Sequence, residues 1–84
     1  MANVKLYSAD WCPFCIRAKK LLESKNIAFE EINVDETPGM REEIVAKTGH
    51  KTIPQIFIND EFIGGFTELA ALDEKGELDS LAGS

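Results

Sequence analysis

The segment DWCPFCIR, residues 10–17, contains the only two cysteines of the 84-residue chain, Cys12 and Cys15. Two thiols at this spacing can be buried core residues, half of a metal site, or a redox pair. A structural zinc site needs about four ligands, and the chain offers only His50 and carboxylates to complete one. The pattern therefore favours thiol–disulfide redox chemistry. A buried structural pair and a zinc site shared between two chains are the alternatives.

The helix that must position the motif separates the two thiols. It is predicted over residues 13–25, because proline suits a first helical position and Asn26 suits a stop. At 100° per residue, Cys15 falls on the apolar stripe of this helix and Cys12 falls toward the polar face. The other members of the stripe are Phe14, Ala18, Leu21 and Leu22.

Cys12 also directly precedes the first helical residue. At that position the unpaired backbone N–H groups and the helix dipole favour a negative charge. We therefore expect Cys12 to be an outward-facing thiolate that attacks a disulfide. We expect Cys15 to be a sheltered thiol that can attack the resulting mixed disulfide. Two structural core cysteines would instead share the apolar face.

Four strands and three helices are predicted along the chain, in the order β-α-β-α-β-β-α. Asn59 and Asp60 suit a tight hairpin turn, and Leu78 and Leu81 are expected to pin a short tail onto the core. The order predicts one α/β domain over residues 1–84, with a four-stranded mixed sheet and helices on both faces. The predicted strands are 3–7, 28–34, 55–58 and 61–63, and the predicted helices are 13–25, 37–48 (Thr37 as cap, Gly49 as stop) and 67–74 (Thr67 as cap).

The composition is that of a soluble protein that does not bind nucleic acid. Nine basic and fifteen acidic residues give a net charge of −6, without the basic surface that nucleic acids need. No apolar run approaches the ~18 residues of a membrane span. The first residues lack the layout of a signal peptide, so we expect a cytoplasmic protein.

Three segments outside the motif have both a structural and a functional interpretation. Pro54, in TIPQIF, suits the first residue of a strand, but a cis bond would turn the backbone of Ile53 toward the thiols. Gly64–Gly65 can be a simple strand-to-helix turn or a backbone site for a carboxylate. His50 is expected to be a solvated loop residue. Trp11 is expected at the surface or on a lip that contacts substrate.

With C-P-F-C after the first strand, T-I-P before the third and G-G before the last helix, the chain resembles a glutaredoxin of the short bacterial dithiol type over nearly its whole length. The resemblance implies a thioredoxin fold. It also implies glutathione as electron donor, without a tightly bound cofactor or metal. The implied substrates are protein disulfides and glutathionylated proteins, with ribonucleotide reductase as a candidate, and the implied state is a monomer.

The resemblance further assigns residue roles. Cys12 would be the nucleophile and Cys15 the resolving thiol, and Pro54 would follow a cis bond. Ile53 would pair its backbone with the cysteinyl part of glutathione. The implied glutathione-binding set is Phe14, Thr52, Ile53, Pro54, Gly65, Phe66 and Thr67.

Four positions depart from the family pattern. Ala9 stands where a lysine often binds the glycyl carboxylate of glutathione, and Lys51 or Arg41 could replace that cation. Trp11 precedes the first cysteine, as in thioredoxins. The other two departures are Phe14, in place of the common tyrosine, and Thr67, in place of an acidic residue or serine. The alternatives are a thioredoxin-like reductant served by a flavoprotein reductase, an iron–sulfur carrier, and a glutathione-binding module with inert thiols.

Overall fold

Strands and helices alternate along the chain in the computed structural model, which describes residues 3–83. The first helix begins at Pro13, as predicted, and the hairpin turns at Asn59 and Asp60 with φ of 53° and 68°. The elements are β1 (Val4–Ser8), α1 (Pro13–Ser24), β2 (Glu30–Asn33), α2 (Met40–Thr48), β3 (Gln55–Ile58), β4 (Glu61–Gly64), α3 (Phe66–Glu74) and α4 (Glu77–Gly83).

The four strands form one mixed sheet in the order β2-β1-β3-β4. β1 pairs with β2 in parallel, with Leu6 opposite Glu31, and with β3 antiparallel, with Leu6 opposite Ile56. β3 and β4 form the antiparallel hairpin, in which Phe57 lies opposite Phe62. The predicted mixed sheet of an α/β fold is therefore confirmed.

The main core lies on the sheet face that carries α1, α3 and α4. Alternate residues of β1 and β3 point to this face because side chains alternate along a strand. Each fully buried aliphatic side chain contributes roughly 1.5–3 kcal/mol, so this cluster is the main source of stability. Its members are Val4, Leu6, Ala18, Leu22, Ile27, Ile56, Ile58, Leu69 and Leu78.

The opposite face of the sheet is aromatic and carries α2. The ring centroids of Tyr7 and Phe57 are 5.6 Å apart, and those of Phe57 and Phe62 are 5.3 Å apart. Lys47 of α2 places its Nζ 5.2 Å from the Phe57 centroid. Helices thus cover both faces, as predicted. None of the helices within residues 3–83 is long and apolar enough to cross a membrane.

Two helix starts differ from the prediction because glycines set them. α2 begins at Met40 with Gly39 as its N-cap, and not at Pro38 after a Thr37 cap, since Gly39 adopts a left-handed conformation with φ of 81°. The Met40 N–H donates to the Thr37 carbonyl oxygen at 3.1 Å, which closes residues 37–40 into a turn. α3 begins at Phe66 with Gly65 as its N-cap. Thr67 therefore lies inside the helix and does not cap it.

The strand ends and the tail also differ from the prediction. β1 lies one residue later than expected, and β2 is shorter. The expected tail forms a fourth helix, so the element order continues one element beyond β-α-β-α-β-β-α. Leu78 is fully buried, as expected, but Leu81 is 39 % exposed and does not pin the tail. A seven-residue helix has little intrinsic stability, so α4 depends on the packing of Leu78 on the core. The periodicity of this short segment did not predict that contact.

Candidate active site

Cys12 lies where the chain turns from β1 into α1. It is the N-cap of α1 with extended backbone angles, φ −89° and ψ 112°, and Pro13 is the first helical residue. The Cys12 N–H donates to the Ala9 carbonyl oxygen at 3.2 Å, which closes the turn between strand and helix. This local geometry points the thiol along the open N-terminal end of α1.

The sulfur of Cys12 has two polar neighbours. The backbone N–H of Cys15 donates to Cys12 Sγ at 3.2 Å. In the thiol form, Cys12 can donate to the Ile53 carbonyl oxygen, 3.7 Å away. An amide donor at the positive end of a helix dipole stabilises a negative charge on the sulfur. The arrangement therefore places a backbone donor on the sulfur that would attack a disulfide.

Cys12 is more deeply recessed than the helical pattern predicted. Only 4 % of its surface is exposed, so the expectation of an outward-facing sulfur is wrong. The side chains of Trp11 and Phe14, 63 % and 51 % exposed, stand on either side of Cys12 in the sequence and form the lip of a cavity of about 500 Å³. Cys12 lines this cavity, so a substrate sulfur would reach it from inside the recess.

Cys15 is the inner thiol, as the helical pattern predicted. It is fully buried and does not line the cavity. Burial, and then the side-chain hydrogen bond with Cys12, raise the pKa of Cys15 to about 12. Cys15 therefore stays protonated at neutral pH. The two sulfurs differ in access, since Cys12 lines the cavity and Cys15 does not, and separate attacking and resolving roles need this difference.

A cis peptide bond joins Ile53 to Pro54 beside the thiol. It turns the Ile53 backbone toward Cys12, as the resemblance implied. The Gln55 side chain fixes the preceding loop, because its Nε2 donates to the His50 carbonyl oxygen at 2.6 Å and to that of Thr52 at 3.2 Å. Gln55 is fully buried and was missed by sequence reasoning. The feature of the sequence that could have indicated its role is that a polar residue begins an otherwise apolar strand.

The turn between β4 and α3 forms the far wall of the cavity. A Cβ on Gly64, whose φ is 130°, would lie 2.6 Å from Glu68 Cγ, and a Cβ on Gly65 would lie 3.3 Å from the Pro54 carbonyl oxygen. The Gly65 N–H donates to Glu68 Oε1 at 2.6 Å. The amide of Gly65 is therefore already used, and a carboxylate would have to bind the next amides of α3.

The cavity brings together residues from three separate segments that the sequence had singled out. Of the predicted site residues, only Cys15 does not line the cavity; it lies beneath Cys12. Sequence reasoning assigned no role at the site to Glu68, and it expected His50 to be a solvated loop residue. The lining residues are Trp11, Cys12, Pro13, Phe14, Arg41, His50, Lys51, Thr52, Ile53, Pro54, Gly65, Phe66, Thr67 and Glu68. Within residues 3–83, no three His, Cys, Asp or Glu side chains are grouped to hold a metal ion.

The family model for glutaredoxin matches residues 4–63 of the chain. The chain belongs to the glutaredoxin family. Glutaredoxin 3 of Escherichia coli K12 is 48 % identical to this glutaredoxin, over 96 % of this chain and 98 % of the relative. Family membership makes the protein a thiol–disulfide oxidoreductase in kind.

Solved structures support the same assignment of this glutaredoxin. The solution structure of a glutaredoxin from Brucella melitensis is 44 % identical, with a TM-score of 0.87 over 98 % of this chain and 89 % of that one. A buckwheat glutaredoxin–glutathione complex is 24 % identical, with a TM-score of 0.92 over 98 % of this chain and 77 % of that one. The fold of this glutaredoxin is thus the thioredoxin fold.

Proposed function

We propose that this glutaredoxin is a glutathione-dependent thiol–disulfide oxidoreductase of the cytoplasm. It reduces protein disulfides and glutathione mixed disulfides through Cys12 and Cys15, with glutathione as the electron donor and not as a bound cofactor. The observation that carries the proposal is the Cys12 sulfur. It lies at the N-terminus of α1, 3.2 Å from the Cys15 amide nitrogen, and lines the cavity.

Cys12 alone carries out the reaction with a glutathionylated substrate. Its thiolate attacks the glutathione sulfur, a bond forms between Cys12 and glutathione, and the substrate leaves as a thiolate that takes a proton from water. A second glutathione thiolate attacks the glutathione sulfur on Cys12. Glutathione disulfide leaves and the Cys12 thiolate is restored.

Cys15 takes part when the substrate is a protein disulfide. Cys12 attacks one substrate sulfur and forms a mixed disulfide. Cys15 then gives its proton to the substrate thiolate freed in the first step and attacks the Cys12 sulfur. A Cys12–Cys15 disulfide forms, and the second substrate sulfur leaves as a thiolate that takes a proton from water. Two glutathione molecules reduce the internal disulfide in two successive exchanges.

Three parts of the cavity support glutathione binding. The Ile53 backbone lies beside the Cys12 sulfur, where the cysteinyl part would pair. The N–H groups of Phe66 and Thr67 start α3 without a hydrogen-bond partner in residues 3–83 and suit the γ-glutamyl carboxylate. Lys51 lines the cavity and suits the glycyl carboxylate. A buckwheat glutaredoxin that shares this fold forms a complex with glutathione, which also supports the proposal.

Glu68 supports the same orientation of glutathione. Position 67, which is often acidic in the family, is a threonine here, but the Glu68 carboxylate lines the cavity and is held at the Gly65 N–H. It therefore offers an acidic group for the γ-glutamyl ammonium from the next position along the helix.

A coupled assay tests the proposal. NADPH consumption is measured with glutathione and glutathione reductase, using a small glutathione mixed disulfide as substrate, and compared with thioredoxin reductase alone. We expect activity only with the glutathione system. Cys12→Ser is expected to abolish it. Cys15→Ser is expected to retain removal of glutathione and to lose most of the reduction of protein disulfides. Activity in Cys12→Ser would overturn the assignment of the nucleophile.

A thioredoxin-like reductant is the second candidate, and two observations favour it. Trp11 directly precedes Cys12, and position 9, where the family often has a lysine, holds a buried alanine. The reduction potential distinguishes the two, since glutaredoxins lie near ~−200 to −230 mV and thioredoxin near ~−270 mV. A potential near the thioredoxin value, together with turnover by thioredoxin reductase, would replace the glutathione-dependent assignment.

A further inference from the structure

The exposed indole of Trp11 is held in one position by polar contacts. Its Nε1–H donates to Asp35 Oδ2 at 2.7 Å. Arg41 Nη2 lies 3.7 Å from Asp35 Oδ1, and the guanidinium carbon lies 5.4 Å from the indole ring centroid. Asp35 is itself fixed, because its N–H donates to Asn33 Oδ1 at 2.9 Å. These contacts orient a large apolar surface that remains 63 % exposed beside the nucleophile.

A second aromatic residue stands on the other side of Cys12 and also has an arginine over its ring. The Arg17 guanidinium carbon lies 5.3 Å from the Phe14 ring centroid. The Phe14 ring also contacts Phe66, with centroids 6.2 Å apart, and remains 51 % exposed. We call Trp11, Phe14, Arg17 and Arg41 the aromatic–arginine rim.

The rim combines apolar surface with positive charge in a protein whose net charge is −6. The only hydrogen-bond donor of the indole is already used by Asp35, so Trp11 offers a partner its apolar face. Each guanidinium lies over a ring and keeps donors for a carboxylate. Asp35 and Glu68 each already accept a hydrogen bond from the protein. Asp10, which directly precedes Trp11, accepts one from Asn33 Nδ2 at 3.0 Å.

We infer that the aromatic–arginine rim is a docking surface for the polypeptide part of a substrate, specifically for a segment with apolar and acidic residues next to its cysteine. The inference rests on the proposed function and names its preferred protein substrates. An apolar side chain would pack on the Trp11 face, and a carboxylate would pair with Arg17 or Arg41. Glutathione has no apolar side chain, so a small mixed disulfide gains little from Trp11.

Selectivity between matched substrates tests the inference. Two short peptides are glutathionylated at a central cysteine, one flanked by leucine and aspartate and the other by serine and lysine. The mixed disulfide of glutathione with 2-mercaptoethanol is the small reference. We expect the wild type to show at least about tenfold higher kcat/KM for the leucine–aspartate peptide than for the serine–lysine peptide, since a few central aromatic and arginine contacts dominate binding.

Substitutions in the rim should remove this preference. Trp11→Ala is expected to lower kcat/KM for the leucine–aspartate peptide about tenfold more than it lowers kcat/KM for the small reference. Arg17→Gln is expected to lower the preference for the leucine–aspartate peptide over the serine–lysine peptide. In the wild type, added salt should reduce the same preference. Leu81→Ala is the control, because Leu81 is an exposed apolar residue of α4 that does not line the cavity.

Asp35 positions the Trp11 indole in this scheme, and the fluorescence of Trp11 tests that role directly. Trp11 is the only tryptophan of the chain, so its emission and its quenching by acrylamide describe the rim alone. Asp35→Ala is expected to increase quenching and to reduce peptide selectivity together. In Cys12→Ser, titration with the reduced leucine–aspartate peptide should shift the emission to shorter wavelength, and the serine–lysine peptide should not shift it.

The outcomes separate this inference from the proposed function. If the wild type does not turn over the small reference with glutathione, the proposed function fails and the inference fails with it. If it turns over the reference but treats both peptides alike, the inference alone is overturned. It is also overturned if Trp11→Ala lowers activity on peptide and reference by the same factor.

Discussion

The backbone N–H of Cys15 lies 3.2 Å from the Cys12 sulfur, so the residue with the buried thiol stabilises charge on the thiol that lines the cavity. The thiol of Cys15 itself is held neutral, because burial and then its side-chain hydrogen bond with Cys12 raise its pKa. One turn of helix thus makes two chemically identical side chains different. The first two predictions depend on this difference.

Alkylation at neutral pH should modify Cys12 and spare Cys15. Cys15, with a pKa raised to about 12 and no exposed surface, has almost no thiolate and little access to the reagent. Mass spectrometry of peptides after timed exposure to iodoacetamide at pH 7 measures both sites. Cys12→Ser should react at least about a hundredfold more slowly than the wild type. Equal rates in the two proteins would contradict the division of roles.

The step in which Cys15 resolves a mixed disulfide should accelerate with pH. Because the pKa of Cys15 is raised by burial, its thiolate is scarce at pH 7 and increases about tenfold per pH unit below the pKa. Stopped-flow release of a peptide thiol from a preformed Cys12–peptide disulfide measures this step. Cys15→Ser is the control and should release no peptide without glutathione. A resolution rate that does not change between about pH 6 and 9 would contradict the prediction.

Much of the fold and the asymmetry of the site could be predicted because they depend on local rules. Alternation predicted β1 and β2, although not their ends, and Pro13 predicted the start of α1. The 3.6-residue period predicted that Cys15 lies beneath Cys12. Asn59 and Asp60 adopt the positive φ that a tight hairpin turn requires.

What could not be predicted depends on contacts between distant segments. The recess around Cys12 is formed by Trp11 and Phe14 together with the segment around Pro54. The clamp of Gln55 on the His50–Thr52 loop exists only once β3 is packed. The start of α2 depended on whether Thr37 or Gly39 would end the preceding turn, and propensity alone did not decide it.

Replacing Gly64 should destabilise the wall of the cavity. Gly64→Ala puts a Cβ 2.6 Å from Glu68 Cγ at a φ of 130°, so both strain and a clash follow. We expect the free energy of unfolding in urea to fall by roughly 1–3 kcal/mol. Gly76→Ala is the matched control, because Gly76 also has a positive φ, 74°, but no atom lies within 4 Å of the added Cβ. An equal loss in both variants would mean that the contact with Glu68 is unimportant.

The Glu31 carboxylate joins three elements and should make stability depend on pH in acid. Glu31 Oε2 accepts from Ser8 Oγ at 2.6 Å and from Lys19 Nζ at 3.0 Å. The hydrogen bond from Ser8 and then that from Lys19 lower the pKa of Glu31 below its ordinary value of 4.5. The unfolded chain therefore takes up the proton first. The stabilisation is complete above pH 4.5 and is lost as the pH falls through the lower folded value.

Urea unfolding of Glu31→Gln at neutral and acid pH measures this contribution. At pH 7 the wild type should be more stable by less than about 1 kcal/mol, because the pair is partly exposed and screened by water. The difference should shrink in acid, and high salt should weaken the part due to Lys19. Glu30→Gln is the control, since the Glu30 side chain makes no hydrogen bond or ion pair within residues 3–83. A difference between Glu31→Gln and wild type that persists unchanged well below pH 4.5 would show that packing, and not the charge, is responsible, because protonation removes only the charge.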